Sequence, residues 1–201
     1  MSQNYKVFLR DSVIVFEKGQ AADGGNLDQN DVIALLSKES PNSIIRIASS
    51  NPEEALSQFL SKVDSISAAG GVVRDPKTDL YLIIERHGVW DFPKGKIDLG
   101  ETPAIASIRE VEEECGVNGL IITREIGSTY HGYLIQGKPF IKRTYWFEMD
   151  CIGNTVPKAQ AEEGISQVLW ANNKQIAEYL NYSYASIKEL WNQAYPSKKT
   201  D

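Results

Sequence analysis

"GKIDLGETPAIASIREVEEECGV", Gly95–Val117, is the stretch that decides how this chain is read. It holds five glutamates, Glu101, Glu110, Glu112, Glu113 and Glu114, three of them consecutive. Carboxylates repel one another at neutral pH, so a segment this acidic needs a local reason. Helical geometry supplies one. Thr102 is a good N-cap, Pro103 suits the first helical position, and Gly116 tolerates the left-handed conformation that ends a helix. At about 100° per residue, Ala104, Ile108, Val111 and Cys115 share the side that faces a core. Glu110, Glu113 and Glu114 stand i, i+3, i+4 and cluster roughly 130–140° from that apolar centre. Glu112 is expected to turn away from them, toward solvent. Three converging carboxylates call for a counter-charge. Hard oxygen ligands on one helix face suit Mg2+, with Mn2+ as a substitute, and Mg2+ keeps waters and substrate phosphates in its shell. The alternative is a solvated acidic face. The preceding loop "FPKGKIDLGE" weighs against it, with two glycines that allow close backbone approach and two lysines.

The rest of the chain bounds the possibilities. Its 201 residues are 42% hydrophobic, enough for a real core. The net charge is −6 and becomes −1 without the five glutamates of the quoted stretch, so the acidity is local. Such a balance argues against a general polyanion-binding surface and leaves room for a small basic pocket. Cys115 and Cys151 lack the CxxC spacing of a metal site and suit a reduced compartment. "MSQNYKVFLRD" has no apolar signal-peptide core, and no apolar run approaches a membrane span, so the default expectation is a cytoplasmic protein without a membrane partner.

Two parts are expected, with a loose tail over 196–201. Residues 1–64 read as a small α+β domain of unassigned role. "YKVFL" and "SVIVF" form a hairpin, "DQNDVIALLSK" a helix, "SIIRIAS" a strand, and "AADGGN" a flexible loop. "NPEEALSQFLSKV" is a helix capped by Asn51, with Pro52 first and Leu56, Phe59, Leu60 and Val63 on one face. Residues 65–195 interleave strands and helices. "AAGGVVRD" and "DLYLIIER" are strands around a turn at Pro76-Lys77. "YHGYLI" and "PFIKRTYWFEMD" make a hairpin, "SQVLWA" a strand, and "NKQIAEYL" and "YASIKELWNQAY" helices. Interspersed elements predict an α/β fold with helices packed on a mixed sheet.

The quoted stretch fills every fixed position of the pattern G-x5-E-x7-R-E-U-x-E-E-x-G-U, where U is a bulky aliphatic residue. It resembles the box of the Nudix hydrolase family. The resemblance implies an α/β/α sandwich over residues 65–195 and metal-dependent cleavage of a phosphoanhydride in a nucleoside diphosphate linked to another group. It implies that Glu110, Glu113 and Glu114 bind Mg2+, often with a backbone carbonyl near Gly95. It also implies that Glu101 and Arg109 orient this cluster. The general base is Glu113 or a later acid, and "QAEEGISQVLW" offers Glu162 and Glu163.

Substrate-binding candidates are Arg86, Lys94 and Lys96 around the loop, and Tyr130, Tyr133, Lys142 and Arg143 on the hairpin. For each aromatic taken singly, strand packing competes with ligand contact, and His87, His131 and the tryptophans read as structural. "FPKGKIDLGET" and "KRT" resemble the branch that cleaves diadenosine and diphosphoinositol polyphosphates, so a dinucleoside polyphosphate is the favoured small phosphorylated substrate. Decapping enzymes carry a similar loop, which keeps an RNA 5′-end pyrophosphohydrolase open although the net acidity weighs against nucleic acid. A Nudix-fold nucleotide sensor that regulates a partner is the remaining alternative. A homodimer, with residues 1–64 as dimerisation or lid element, also stays open.

Overall fold

The computed structural model describes residues 4–10, 12–20, 27–37 and 43–196. The "AADGGN" loop and most of the C-terminal tail lie outside the described residues. In chain order the first elements are β1 (Tyr5–Leu9), β2 (Ser12–Lys18), α1 (Gln29–Ser37), β3 (Ile44–Ser49) and α2 (Pro52–Leu60). Then come β4 (Asp64–Asp75), β5 (Leu80–Arg86), β6 (Val89–Asp91), β7 (Lys94–Lys96) and α3 (Pro103–Cys115). The last are β8 (Leu120–Ile135), β9 (Lys138–Cys151), β10 (Ile165–Ala171), α4 (Asn173–Tyr179) and α5 (Ala185–Ala194), with a 3-10 turn at Ala161–Glu163 before β10.

Two compact units divide these elements. The first joins the residues up to Ile66 with Tyr130–Arg143, the turn-proximal end of the β8–β9 hairpin. Here β1 and β2 form the expected antiparallel hairpin, β3 runs parallel to β2, and β1 runs parallel to β8 from Val7↔Tyr130 to Leu9↔Gly132. A Cβ at Gly132 would overlap the Leu9 side chain, so glycine is what allows this approach. Asn51 caps α2 by accepting the Glu54 N–H, and Leu56 and Phe59 bury its apolar face. They pack with Val7, Leu9, Ile14, Phe16, Tyr130 and Ile141 in one core.

The second unit holds Ser67–Thr129 and the residues from Thr144. Its strands follow the order β10-β5-β4-β9-β8, with β6 on β5 and β7 on β4. Consecutive residues of β4 and β5 enter different cores. Val73, Leu82 and Ile84 pack with Val111 and Cys115 of α3. Val72, Tyr81 and Ile83 pack with Ile176 of α4 and with Ile187, Leu190 and Trp191 of α5. A period-2 strand that is apolar at every position is covered on both faces, which gives helix layers on either side of the sheet. Lys94–Lys96, read as loop from sequence, is a short strand antiparallel to Ala68–Gly70. The Gly71 N–H donates to the Pro93 carbonyl at 3.1 Å, and a Cβ at Gly70 would overlap that carbonyl and Lys94. The two glycines of β4 thus let the lysine-bearing segment lie against the sheet.

Candidate active site

Helix α3 builds the site. The Thr102 hydroxyl accepts the Ile105 N–H at 3.3 Å, and Gly116 ends the helix with φ 67°. Ala106, Ser107, Val111, Glu114 and Cys115 are buried. The box glutamates therefore occupy graded environments: the side chain of Glu114 is 1% exposed, that of Glu110 13% and that of Glu113 52%. Glu112 is half-buried rather than turned out to solvent, because its helical angle lies beside the apolar stripe and not opposite it.

Strand β7 supplies the other wall. A Cβ at Gly95 would overlap the Glu110 carboxylate, so that carboxylate lies directly against the glycine backbone. The Lys94 N–H donates to Glu114 Oε2 at 2.9 Å. Glu114 Oε1 accepts from Arg86, at the end of β5, at 2.8 Å. The other arm of the Arg86 guanidinium donates to Glu163 Oε2 at 2.7 Å. Arg109 forms a second hub. It grips both Glu101 oxygens at 2.8 Å, donates to Glu110 at 2.9 Å and Glu113 at 3.0 Å, and reaches the Lys96 carbonyl at 3.0 Å.

Electrostatics follow burial. Burial pushes the Glu114 carboxyl up to about 7, against the opposing pull of the Lys94 N–H and Arg86. Burial also raises Glu110; Arg109 opposes the shift, while Glu113 and Glu163 add to it. Glu101 goes the other way, held down to about 2 by hydrogen bonds from Arg109 and the Asp98 N–H. Glu101 is thus a fixed anion that locks Arg109, while burial disfavours the charged form of the two carboxylates against β7.

The sequence model of the NUDIX domain matches residues 64–190, more than half of the chain. The chain belongs to the Nudix hydrolase family. An RNA pyrophosphohydrolase of Helicobacter pylori strain G27 is 31% identical over 137 residues, 62% of this chain and 77% of that protein. A MutT-like protein of Streptomyces ambofaciens is 41% identical over 68 residues, 34% of this chain and 42% of its own length. Among solved structures, a Caenorhabditis elegans Ap4A hydrolase shares 21% identity with a TM-score of 0.48, over 64% of this chain and 94% of that one. This Nudix chain spans only 10% to 42% of the length of three curated relatives that it matches.

The donor set of the Nudix helix fits a divalent cation in kind: hard carboxylate oxygens, that of Glu110 against the Gly95 backbone and that of Glu114 buried beside the Lys94 N–H. Its arrangement is different. Among the described residues no three His, Cys, Asp or Glu side chains surround one point closely enough to hold a metal ion. Arginines supply the counter-charge instead, Arg86 at Glu114 and Arg109 at Glu110 and Glu113. Glu101 and Arg109 lie together at the cluster, with Arg109 paired to Glu101, Glu110 and Glu113. Glu163 joins it through Arg86, while Glu162 is exposed on the same 3-10 turn.

The substrate candidates separate. Arg86 is engaged by two carboxylates, and Lys94 Nζ pairs with Asp91 at 2.5 Å, whereas the Lys96 side chain is exposed. Tyr133 and Lys142 belong to the first unit, where the Tyr130 ring is core and Arg143 lies 5.6 Å from its centroid. Asp91 escaped the sequence reading. It is buried, binds Lys94 and accepts the Phe92 N–H at 2.8 Å, so it shapes the turn that presents Lys94 to Glu114. The i, i+3 spacing of Asp91 and Lys94 in "DFPK" was the available signal.

Proposed function

We propose that the second unit is a metal-dependent hydrolase that cleaves a phosphoanhydride bond in a nucleoside diphosphate-type substrate by attack of water at phosphorus. The observation that carries the reading is the pair of carboxylates, buried Glu114 and part-buried Glu110, that α3 gathers against the Lys94 N–H and Gly95. Glu110, Glu113 and Glu114 would hold Mg2+, or Mn2+ in its place. When bound, such an ion neutralises phosphate oxygens and makes a coordinated water more acidic. Arg109 and Glu101 keep the carboxylates facing one another. Glu113 is our choice for the base that accepts the proton of the attacking water, since it is the most exposed of the three and, among the described residues, pairs with Arg109 alone. Glu163 is the alternative. Lys96 meets substrate phosphate, as does Arg86 once freed.

A dinucleoside polyphosphate is the favoured substrate, supported by the "FPKGKIDLGE" loop beside the intact helix. An RNA 5′ end is the second reading, favoured by the likeness to the Helicobacter pylori RNA pyrophosphohydrolase. Product release from diadenosine tetraphosphate, a diphosphoinositol phosphate, ADP-ribose and 5′-triphosphorylated RNA, with Mg2+ and with chelator, tests both. Mg2+-dependent turnover with the highest kcat/KM for diadenosine tetraphosphate is expected. Preference for RNA moves the chain to the second reading. Binding without turnover of any substrate makes it a sensor.

A further inference from the structure

Arg86 and Glu114 are separated by 28 positions, and Arg86 and Glu163 by 77, yet one guanidinium bridges both carboxylates at 2.8 and 2.7 Å. The bridge is built into the backbone on each side. The Lys158 N–H donates to the Cys115 carbonyl at 2.7 Å and the Gln160 N–H to the Glu114 carbonyl at 3.2 Å, so the segment before the 3-10 turn lies across the end of α3. The His87 N–H donates to the Gly164 carbonyl at 3.0 Å, which ties the end of the turn to the residue after Arg86. A Cβ at Gly164 would overlap the His87 ring. Glu163 is therefore held in reach of Arg86, and Glu114 is too buried to take its counter-charge from water.

We propose that Arg86 is the exchangeable counter-ion of the carboxylate cluster: it neutralises Glu114 and must leave it when a divalent cation binds there. The inference rests on the metal reading of the site. A guanidinium and a dication compete for the same carboxylate oxygen and repel each other, so the Arg86–Glu114 bond lowers cation affinity. Glu163 gives the displaced guanidinium a retained partner at the rim, which keeps Arg86 beside the site. Toward the cation, Arg86 acts through Glu114.

Mn2+ titration by calorimetry and paramagnetic resonance, on the full chain without substrate, tests this. Arg86→Met should bind Mn2+ about tenfold more tightly than the wild type, the change expected when one charge-assisted bond to a competing group is lost. Its melting temperature should fall in chelator and return toward the wild-type value at saturating Mn2+. Arg86→Lys, which keeps the charge but cannot span both carboxylates, should lie between the two and serves if Arg86→Met does not fold. Unchanged or weaker Mn2+ binding in the folded variants, or equal loss of melting temperature with and without Mn2+, overturns the proposal while wild-type binding leaves the metal reading standing. No Mn2+ binding by the wild type overturns both.

Discussion

At the scale of single residues, the site separates carboxylates by how much water they keep. Glu110→Gln or Glu114→Gln removes a negative charge from the carboxylate cluster and should abolish most activity, measured as kcat/KM with Mg2+. Glu112→Gln should stay near the wild type. Glu112 is half-buried, so this comparison separates position on the helix from mere burial. Arg109→Lys keeps a charge but loses the fork that holds Glu101, Glu110 and Glu113 together, and kcat/KM should fall about 10- to 100-fold. A different carboxylate sets acid sensitivity. Asp75 accepts the Lys77 N–H at 2.9 Å and the Thr78 hydroxyl at 2.8 Å, and these bonds hold its carboxyl below the usual range, the Lys77 bond most of all. A folded-state pKa below the unfolded one contributes stability above the unfolded value and loses it as pH falls through the folded one. The stability advantage of the wild type over Asp75→Ala, read by urea unfolding, should therefore be full at neutral pH and shrink below about pH 4. An advantage that is constant with pH would assign it to packing.

At the scale of elements, local chemistry marks the helices better than the short strands. Asn51, Thr102 and Asn172 each cap a helix by accepting an N–H three residues on. That bond lies within four consecutive residues, so it is legible in the sequence. Thr102→Ala should cost α3 about 1 kcal/mol in a chemical unfolding experiment. Strand β7 carries no such mark. "KGK" is polar and three residues long, and it is a strand only because β4 offers Ala68–Gly70 as a partner. The first half of β8, Leu120–Thr129, was missed for a related reason: several of its residues are exposed and polar, so its strand character comes from pairing rather than from an apolar alternation. The packing of β7 on α3 makes its own prediction. Gly95→Ala drives a methyl into the Glu110 carboxylate and should lower kcat/KM, whereas a Cβ at Gly100 meets nothing within 4 Å. Gly100 has φ 89°, so Gly100→Ala should cost about 1 kcal/mol of stability with a smaller effect on turnover. Equal loss of turnover in the two variants would deny β7 its role as the wall of the site.

At the scale of the whole molecule, a divalent cation held by Glu110, Glu113 and Glu114 would couple stability to cation binding. Saturation at about 100 times Kd adds roughly 2.7 kcal/mol, which in a chain of this size raises the melting temperature by about 5–10 °C. Melting curves in millimolar Mg2+ and in chelator read this directly, and coincident curves would count against a metal site on α3. Among the described residues no helix is long and apolar enough to cross a membrane, as the hydropathy of the chain led one to expect. The sequence by itself determined the box, the helix that carries it, the caps at its ends and the strands around the Pro76-Lys77 turn. These follow from spacing and from covalent geometry within a few residues, which a linear string contains. Only the tertiary structure decided that Glu114 is buried and Glu113 is not, that Arg86 spans Glu114 and Glu163, that Asp91 holds Lys94, and that Tyr130–Arg143 packs with the first unit. Burial and charge pairing depend on neighbours tens of positions away in the chain, and their energies arise from water excluded when those neighbours meet.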